Sequence, residues 1–168
     1  MMMPTELIFD PKLLGTKVQA KLPENLVIRP LSSTDFNSGF LDCLSGLTVV
    51  GDVTEEMYVK RFELMKRTLC KHVVVVYDNT CNRVVATGAV FVEPKFTREC
   101  GLLGHIEDVS VHPHYQGKKL GALMIEQLKD LCEVLDCYKI SLNCNTNNIP
   151  FYEKCGFSKK EQQMVIYL

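Results

Sequence analysis

The chain has 168 residues, with 19 lysines and arginines against 20 aspartates and glutamates and a formal net charge of −1. That length predicts one domain able to bury a core without staples, and the near-neutral balance excludes the global basic field of a nucleic-acid binder. No apolar run is long enough to span a bilayer, and the start, MMMPTELIFDPKLLG, lacks a basic segment followed by a sustained apolar one, so a soluble cytoplasmic protein is expected.

Residues 1–22 carry Pro4, Pro11 and Gly15 with little periodicity and predict an irregular arm, with a short helix near Asp10 to Leu14; residues 23–168 predict a single domain. LVIRP predicts a first strand closed by Pro30. The following SSTDFNSGFLDCLSGLT predicts a helix with Ser33 or Thr34 as N-cap and Phe36, Phe40, Leu41, Leu44 and Leu47 on one face. A second helix is predicted over DVTEEMYVKRFELMKRTL, capped through Asp52 and Glu55, with Met57, Tyr58, Phe62, Met65 and Leu69 inward.

The period then changes. HVVVVYD has no polar alternation and predicts a central strand covered on both faces; NTCN is a turn, and RVVATGAVFVE is the next strand. GHIEDVSV, from Gly104 to Val111, is a fourth strand. It leads through HPHYQGKK into a helix with Leu120, Leu123, Met124, Leu128, Leu131 and Leu135 as its apolar stripe. CYKISLNC predicts a fifth strand, NNIPFYEKCGF a short helix ending at Gly156, and QMVIYL a last strand. The order β-α-α-β-β-β-α-β-α-β gives an α/β fold (of the α+β kind) with a mixed, mostly antiparallel sheet. The eight cysteines form no CxxC and predict reduced, mostly buried thiols.

HPHYQGKKLGALMIEQL carries chemistry. A strand-to-helix turn leaves N–H groups without intrahelical partners, the helix dipole adds positive character, and Gly117 and Gly121 let an anion approach the backbone. Gln116, Lys118 and Lys119 add donors; the competing reading is a solvated lysine-rich turn. There is neither a GxxxxGK[ST] phosphate loop nor a GxGxxG near the first strand, and His112 and His114 have no further ligand at metal spacing, so no metal is expected.

VHPHYQGKKLGALMIEQL resembles the coenzyme A pyrophosphate loop of the GNAT superfamily, Q/R-x-x-G-x-G/A, with Gln116 and Gly121 at its first and sixth positions and Lys119 at the usual glycine. NNIPFYEKCGF resembles the superfamily's later motif. With LTVVG, GHIEDVSV and CYKISLNC in register, the chain from about Pro23 onward is similar to the eukaryotic glucosamine 6-phosphate N-acetyltransferases.

The resemblance implies acetyl-CoA as cosubstrate, held by the backbone of Val109, Ser110 and Val111, by Gln116, Gly117, Lys118, Lys119, Leu120, Gly121 and Ala122, and beside Tyr152, Glu153 and Lys154. It implies Tyr152 as the acid that protonates the departing thiolate, Glu107, Asp108 and Val109 at the amino sugar, and Thr48, Lys95, Arg98, Tyr138 and Lys139 at its phosphate. It further implies a homodimer and a place in UDP-N-acetylglucosamine synthesis. Two positions depart from the family. Asn143 stands where the family has an acidic residue at the amine, and Tyr167 where it has a phosphate-binding arginine. Two further readings therefore stay open: a GNAT enzyme for another small amine, and a weakened acetyl-CoA-binding paralogue.

Overall fold

The computed structural model describes residues 5–168; the first four residues of the expected arm, Pro4 included, lie outside it. Five strands form one sheet in the order β1-β2-β3-β4-β5. They are β1 (Leu26–Pro30), β2 (Lys71–Asp78), β3 (Arg83–Pro94), β4 (Leu102–Val111) and β5 (Cys137–Leu142). The first four are antiparallel neighbours, and β5 runs parallel to β4.

β2 shows why the run of valines lacks alternation. Val74 and Val76 face one core with Leu128 and Met124, while Val73 and Val75 face a second with Tyr58 and Phe62. Both faces of the strand are therefore dry. The second core lies under α1 (Phe40–Ser45) and α2 (Glu55–Thr68), the first under α4 (Leu120–Val134). Between β3 and β4 lies α3 (Thr97–Cys100), a single turn whose Arg98 and Glu99 are left-handed, with φ of 55 and 56°.

Glycines let α4 lie close to the sheet. A Cβ on Gly88 would stand 2.8 Å from Leu128 Cδ1, and one on Gly104 2.6 Å from Cys132 Sγ, inside any tolerable contact. The predicted stripe holds for Leu120, Met124, Leu128 and Leu131, while Leu123 and Leu135 are only partly buried. The helix also buries Gln127, whose amide donates to the Leu14 carbonyl at 2.9 Å. Thus the segment before β1 is packed: the expected turn of helix forms at Pro11–Leu14, and Ile8, Leu14 and Val18 are buried.

Several expectations are corrected. The first helix is two pieces, a 3-10 turn at Asp35–Ser38 and then α1, because Gly39 between them holds φ of 77°. Neither Ser33 nor Thr34 caps it through a side chain at the helix start; Ser33 Oγ accepts from the Glu6 N–H instead. α2 begins two residues later than a cap at Asp52 implies, since Thr54 is the N-cap and accepts from the Met57 N–H at 3.2 Å. Met57 and Leu69 are exposed; only Tyr58 and Phe62 of the predicted face are fully buried. Of the cysteines, Cys43 and Cys132 are buried, three are half-buried, and Cys81, Cys100 and Cys144 are exposed.

The last strand is absent: Met164 to Leu168 are exposed and belong to no ladder. Apolar, β-forming residues specify a preference for pairing but not the edge that satisfies it.

The buried Asp35 fixes the turn after β1. It accepts from the Ser32 N–H at 2.7 Å and from both Arg29 guanidinium nitrogens at 2.7 and 2.8 Å. Asp35→Ala leaves Arg29 without its counter-charge, and thermal denaturation should show a loss of about 3 kcal/mol, roughly 6–12 °C in Tm.

Candidate active site

β4 contains the distortion on which the site is built. Its pairing with β3 passes from Ala89↔Glu107 to Thr87↔Ser110, so β4 carries one extra residue, and Asp108 holds φ of 54°. This is a β-bulge, which re-aims the strand. The ladder to β5 ends at Ile106↔Leu142, just before it. From Glu107 onward β4 continues without β5 beside it, and Asn143 is the first residue of β5's extension on the opposite side of the fork.

Backbone polarity in the opened segment follows from alternation. The His112 N–H donates to the Val85 carbonyl of β3 at 2.9 Å, so Val111 turns its groups the other way, and its carbonyl accepts from Gln116 Nε2 at 3.2 Å. Val109 and Val111 thus present N–H groups into the fork. Ser110, paired with Thr87, turns toward β3, and its hydroxyl donates to the Cys43 carbonyl at 2.6 Å. Ser110 ties α1 to the strand and does not offer its amide to the opening; the Gln116 amide is likewise committed within the chain.

Beyond the fork lies a cleft of about 390 Å³ lined by Val111, Gln116, Gly117, Lys119, Gly121 and Phe151, among others. Gly117 has φ of 78° and Lys119, the N-cap of α4, φ of 62°. Lysine therefore takes the left-handed geometry that glycine adopts without strain. The loop's N–H groups, its two glycines and the start of a 15-residue helix fit a pyrophosphate. Two ties brace it. Tyr115 donates to Asp78 Oδ2 at 2.7 Å, and Lys118 Nζ lies 4.6 Å above the Tyr115 ring. Asp78 is held well below the usual carboxylate range, chiefly by the Thr80 hydroxyl and then by Tyr115, while Asp78 pushes the Tyr115 phenol up.

Tyr152 sits on α5 (Ile149–Lys154), packed edge-on between Phe151 and Phe157 at centroid distances of 5.0 and 6.2 Å. Burial is the main reason its proton affinity is raised, with Cys144 and Cys155 adding to it. Its hydroxyl has no hydrogen-bond partner among the described residues and is free to donate. Glu153 and Lys154, on the same helix, are exposed.

On the other side of the fork, Glu107 and Asp108 are exposed and both pair with Lys71 at the start of β2; the Lys71–Asp108 distance is 3.4 Å. The expected phosphate cations cluster at the far end of β4. Arg98 lies 6.0 Å from the Tyr138 ring, Lys139 registers with Leu103, and Lys95 is already bonded to Glu93 at 2.6 Å. Glu93 also meets His105 at 2.9 Å, whose other ring nitrogen meets Ser141 at 2.8 Å. Thr48 lies apart from these, on the α1–α2 loop just past Gly46. Sequence reasoning missed Lys71, His105 and the Asp78–Tyr115 tie, because each is made across strands; the one available signal was a lysine opening an otherwise apolar strand.

Comparison with known proteins gives the same architecture a family. The profile described as the Acetyltransferase (GNAT) family matches residues 38–157. The chain belongs to the GNAT acetyltransferase family. It is 44% identical to the glucosamine 6-phosphate N-acetyltransferase of Arabidopsis thaliana over 147 residues, 87% of this chain and 99% of that one. The crystal structure of the Arabidopsis enzyme superposes with a TM-score of 0.82 at 43% identity, covering 86% of this chain and 99% of that chain. The glucosamine 6-phosphate N-acetyltransferase 1 of Dictyostelium discoideum is 43% identical over 86% of this chain and 92% of its own.

If backbone N–H groups, rather than the Lys119 ammonium, hold the pyrophosphate, Lys119→Gly should leave the KM for acetyl-CoA within about twofold and slightly raise Tm by relieving the left-handed strain. Steady-state kinetics and a melt on the same preparation check both.

Proposed function

We propose that this acetyltransferase moves acetyl from acetyl-CoA to the amine of D-glucosamine 6-phosphate by direct attack in a ternary complex. The observation that carries the reading is the fork after Ile106 and Leu142, which sets a glycine-lined anion cleft and a pair of carboxylates on the two halves of one opened strand. The identity to enzymes of that name supports the acceptor.

In this reading Gly117, Lys118, Lys119, Leu120, Gly121 and Ala122 bind the pyrophosphate, and Glu107 and Asp108 hold the sugar amine and hydroxyls. The Val109 and Val111 N–H groups face the carbonyl oxygen as negative charge develops on it, and need no reorganisation to do so. Glu107 accepts the proton that the ammonium must lose; Asn143 orients the amine through its side-chain carbonyl, which an amide can do, but it cannot take the proton. Tyr152 gives its proton to the departing thiolate. A phenol whose proton affinity burial has raised stays protonated across the neutral range. Lys95, Arg98, Tyr138, Lys139 and Thr48 make the phosphate side, with Lys95 exchanging Glu93 for phosphate. Holding both reactants in one cleft supplies much of the acceleration.

The exposed apolar end, Met164 to Leu168, supports a homodimer in which that segment completes a sheet edge. Eight free cysteines, three of them exposed, support a reducing, cytoplasmic setting, where the product feeds UDP-N-acetylglucosamine synthesis.

Thiol release from acetyl-CoA should be rapid with glucosamine 6-phosphate and at least tenfold slower, at equal concentration, with glucosamine; equal rates would remove the phosphate from the assignment. Tyr152→Phe should lower kcat by roughly 10²-fold with the KM for acetyl-CoA little changed, as for loss of a general acid. Asn143→Asp should raise kcat near neutral pH, and an unchanged kcat would show that the side chain does not reach the amine.

A further inference from the structure

Lys71 is not accounted for by this scheme. Register places it beside Phe91 and His105, and Glu107 beside Ala89, so Lys71 and Glu107 lie two pairs apart on one face of the sheet, the face carrying α1 and α2. Its side chain is mostly covered, at 16% exposure, and crosses that face to meet both Glu107 and Asp108. Two carboxylates and one ammonium give the acceptor side a formal charge of −1 instead of −2. Asn143, directly across the fork, adds none.

We propose that Lys71 is a positioning residue that sets the charge of the acceptor side: it holds the carboxylate pair in place and disfavours the ammonium form of the bound amine, so that the neutral nucleophile is available without a carboxylate at position 143. A cation close to an amine makes its protonated form less favourable, and a neighbouring carboxylate does the reverse. An acceptor side with an acidic residue at 143 and no lysine binds the ammonium and then removes its proton. This one binds it less well and has less to remove. Of the other charged and titratable groups on these strands, His105 is held between Glu93 and Ser141 and Lys95 meets Glu93; among the described residues no cation besides Lys71 pairs with Glu107 or Asp108. The inference rests on the glucosamine 6-phosphate reading.

The test is the pH dependence of kcat and of the sugar KM for the wild type, Lys71→Met and Lys71→Arg, at saturating acetyl-CoA, with melts to verify folding. For Lys71→Met the KM should fall about three- to tenfold while the rising limb of kcat moves up by about one pH unit, a tenfold change in the deprotonated fraction. Lys71→Arg should restore both. A Lys71→Met enzyme with an unmoved limb, a raised KM, or the same behaviour as Lys71→Arg would overturn the proposal. Wild-type enzyme inactive on glucosamine 6-phosphate overturns the acceptor reading instead, and the Lys71 comparison is then made on the amine that is turned over.

Discussion

The parting of β4 from β5 is the constraint on which the rest of the molecule turns. A parallel pair that stayed zipped would satisfy the N–H groups of Val109 and Val111 within the sheet and leave nothing to present to a carbonyl. The extra residue at Asp108 separates the strands and also puts two consecutive acidic side chains, Glu107 and Asp108, at the point of separation. One backbone irregularity therefore produces both a row of free donors and a polar wall. The cores on either face of the sheet hold the strands still while a central strand is left half-paired.

The charges around the fork are arranged so that few are idle. Glu107 and Asp108 meet Lys71, Glu93 meets Lys95 and His105, and Asp78 meets Tyr115. Apart from the buried Asp78 and the mostly covered Lys71, these groups are partly exposed and such pairs contribute little to stability, so their value lies in orientation. Of the two departures from the family, Asn143 lies at the fork beside this cluster, where the proposed role of Lys71 would offset the missing carboxylate, while Tyr167 is exposed in the C-terminal segment.

Local chemistry was legible in the sequence and long-range pairing was not. The run of valines in β2, the stripe of α4 and the glycines of the loop each follow from the residues themselves, and the structure agrees with them. The break at Gly39 was visible as a glycine but not as a helix end, since only its φ of 77° distinguishes a tolerated glycine from a terminating one. The bulge had no signature of its own in the residue types, because what sets Asp108 apart from an ordinary strand residue is its φ of 54° and the register of its partner. QMVIYL reads as a strand by composition, yet a strand exists only with an edge to pair to. The cysteines misled for a related reason: burial depends on which elements converge, and Cys144 lies at the fork.

The bracing of the glycine-containing loop before α4 has a thermodynamic consequence. Asp78 belongs to the β2–β3 hairpin, and through Tyr115 it anchors the loop to a part of the sheet outside the lining of the cleft. A loop so anchored loses its conformational freedom when the domain folds rather than when the ligand arrives. In the proposed reading, association with the nucleotide end of acetyl-CoA then carries a small entropic penalty and little rearrangement, and its heat-capacity change reflects the surface covered rather than the ordering of chain.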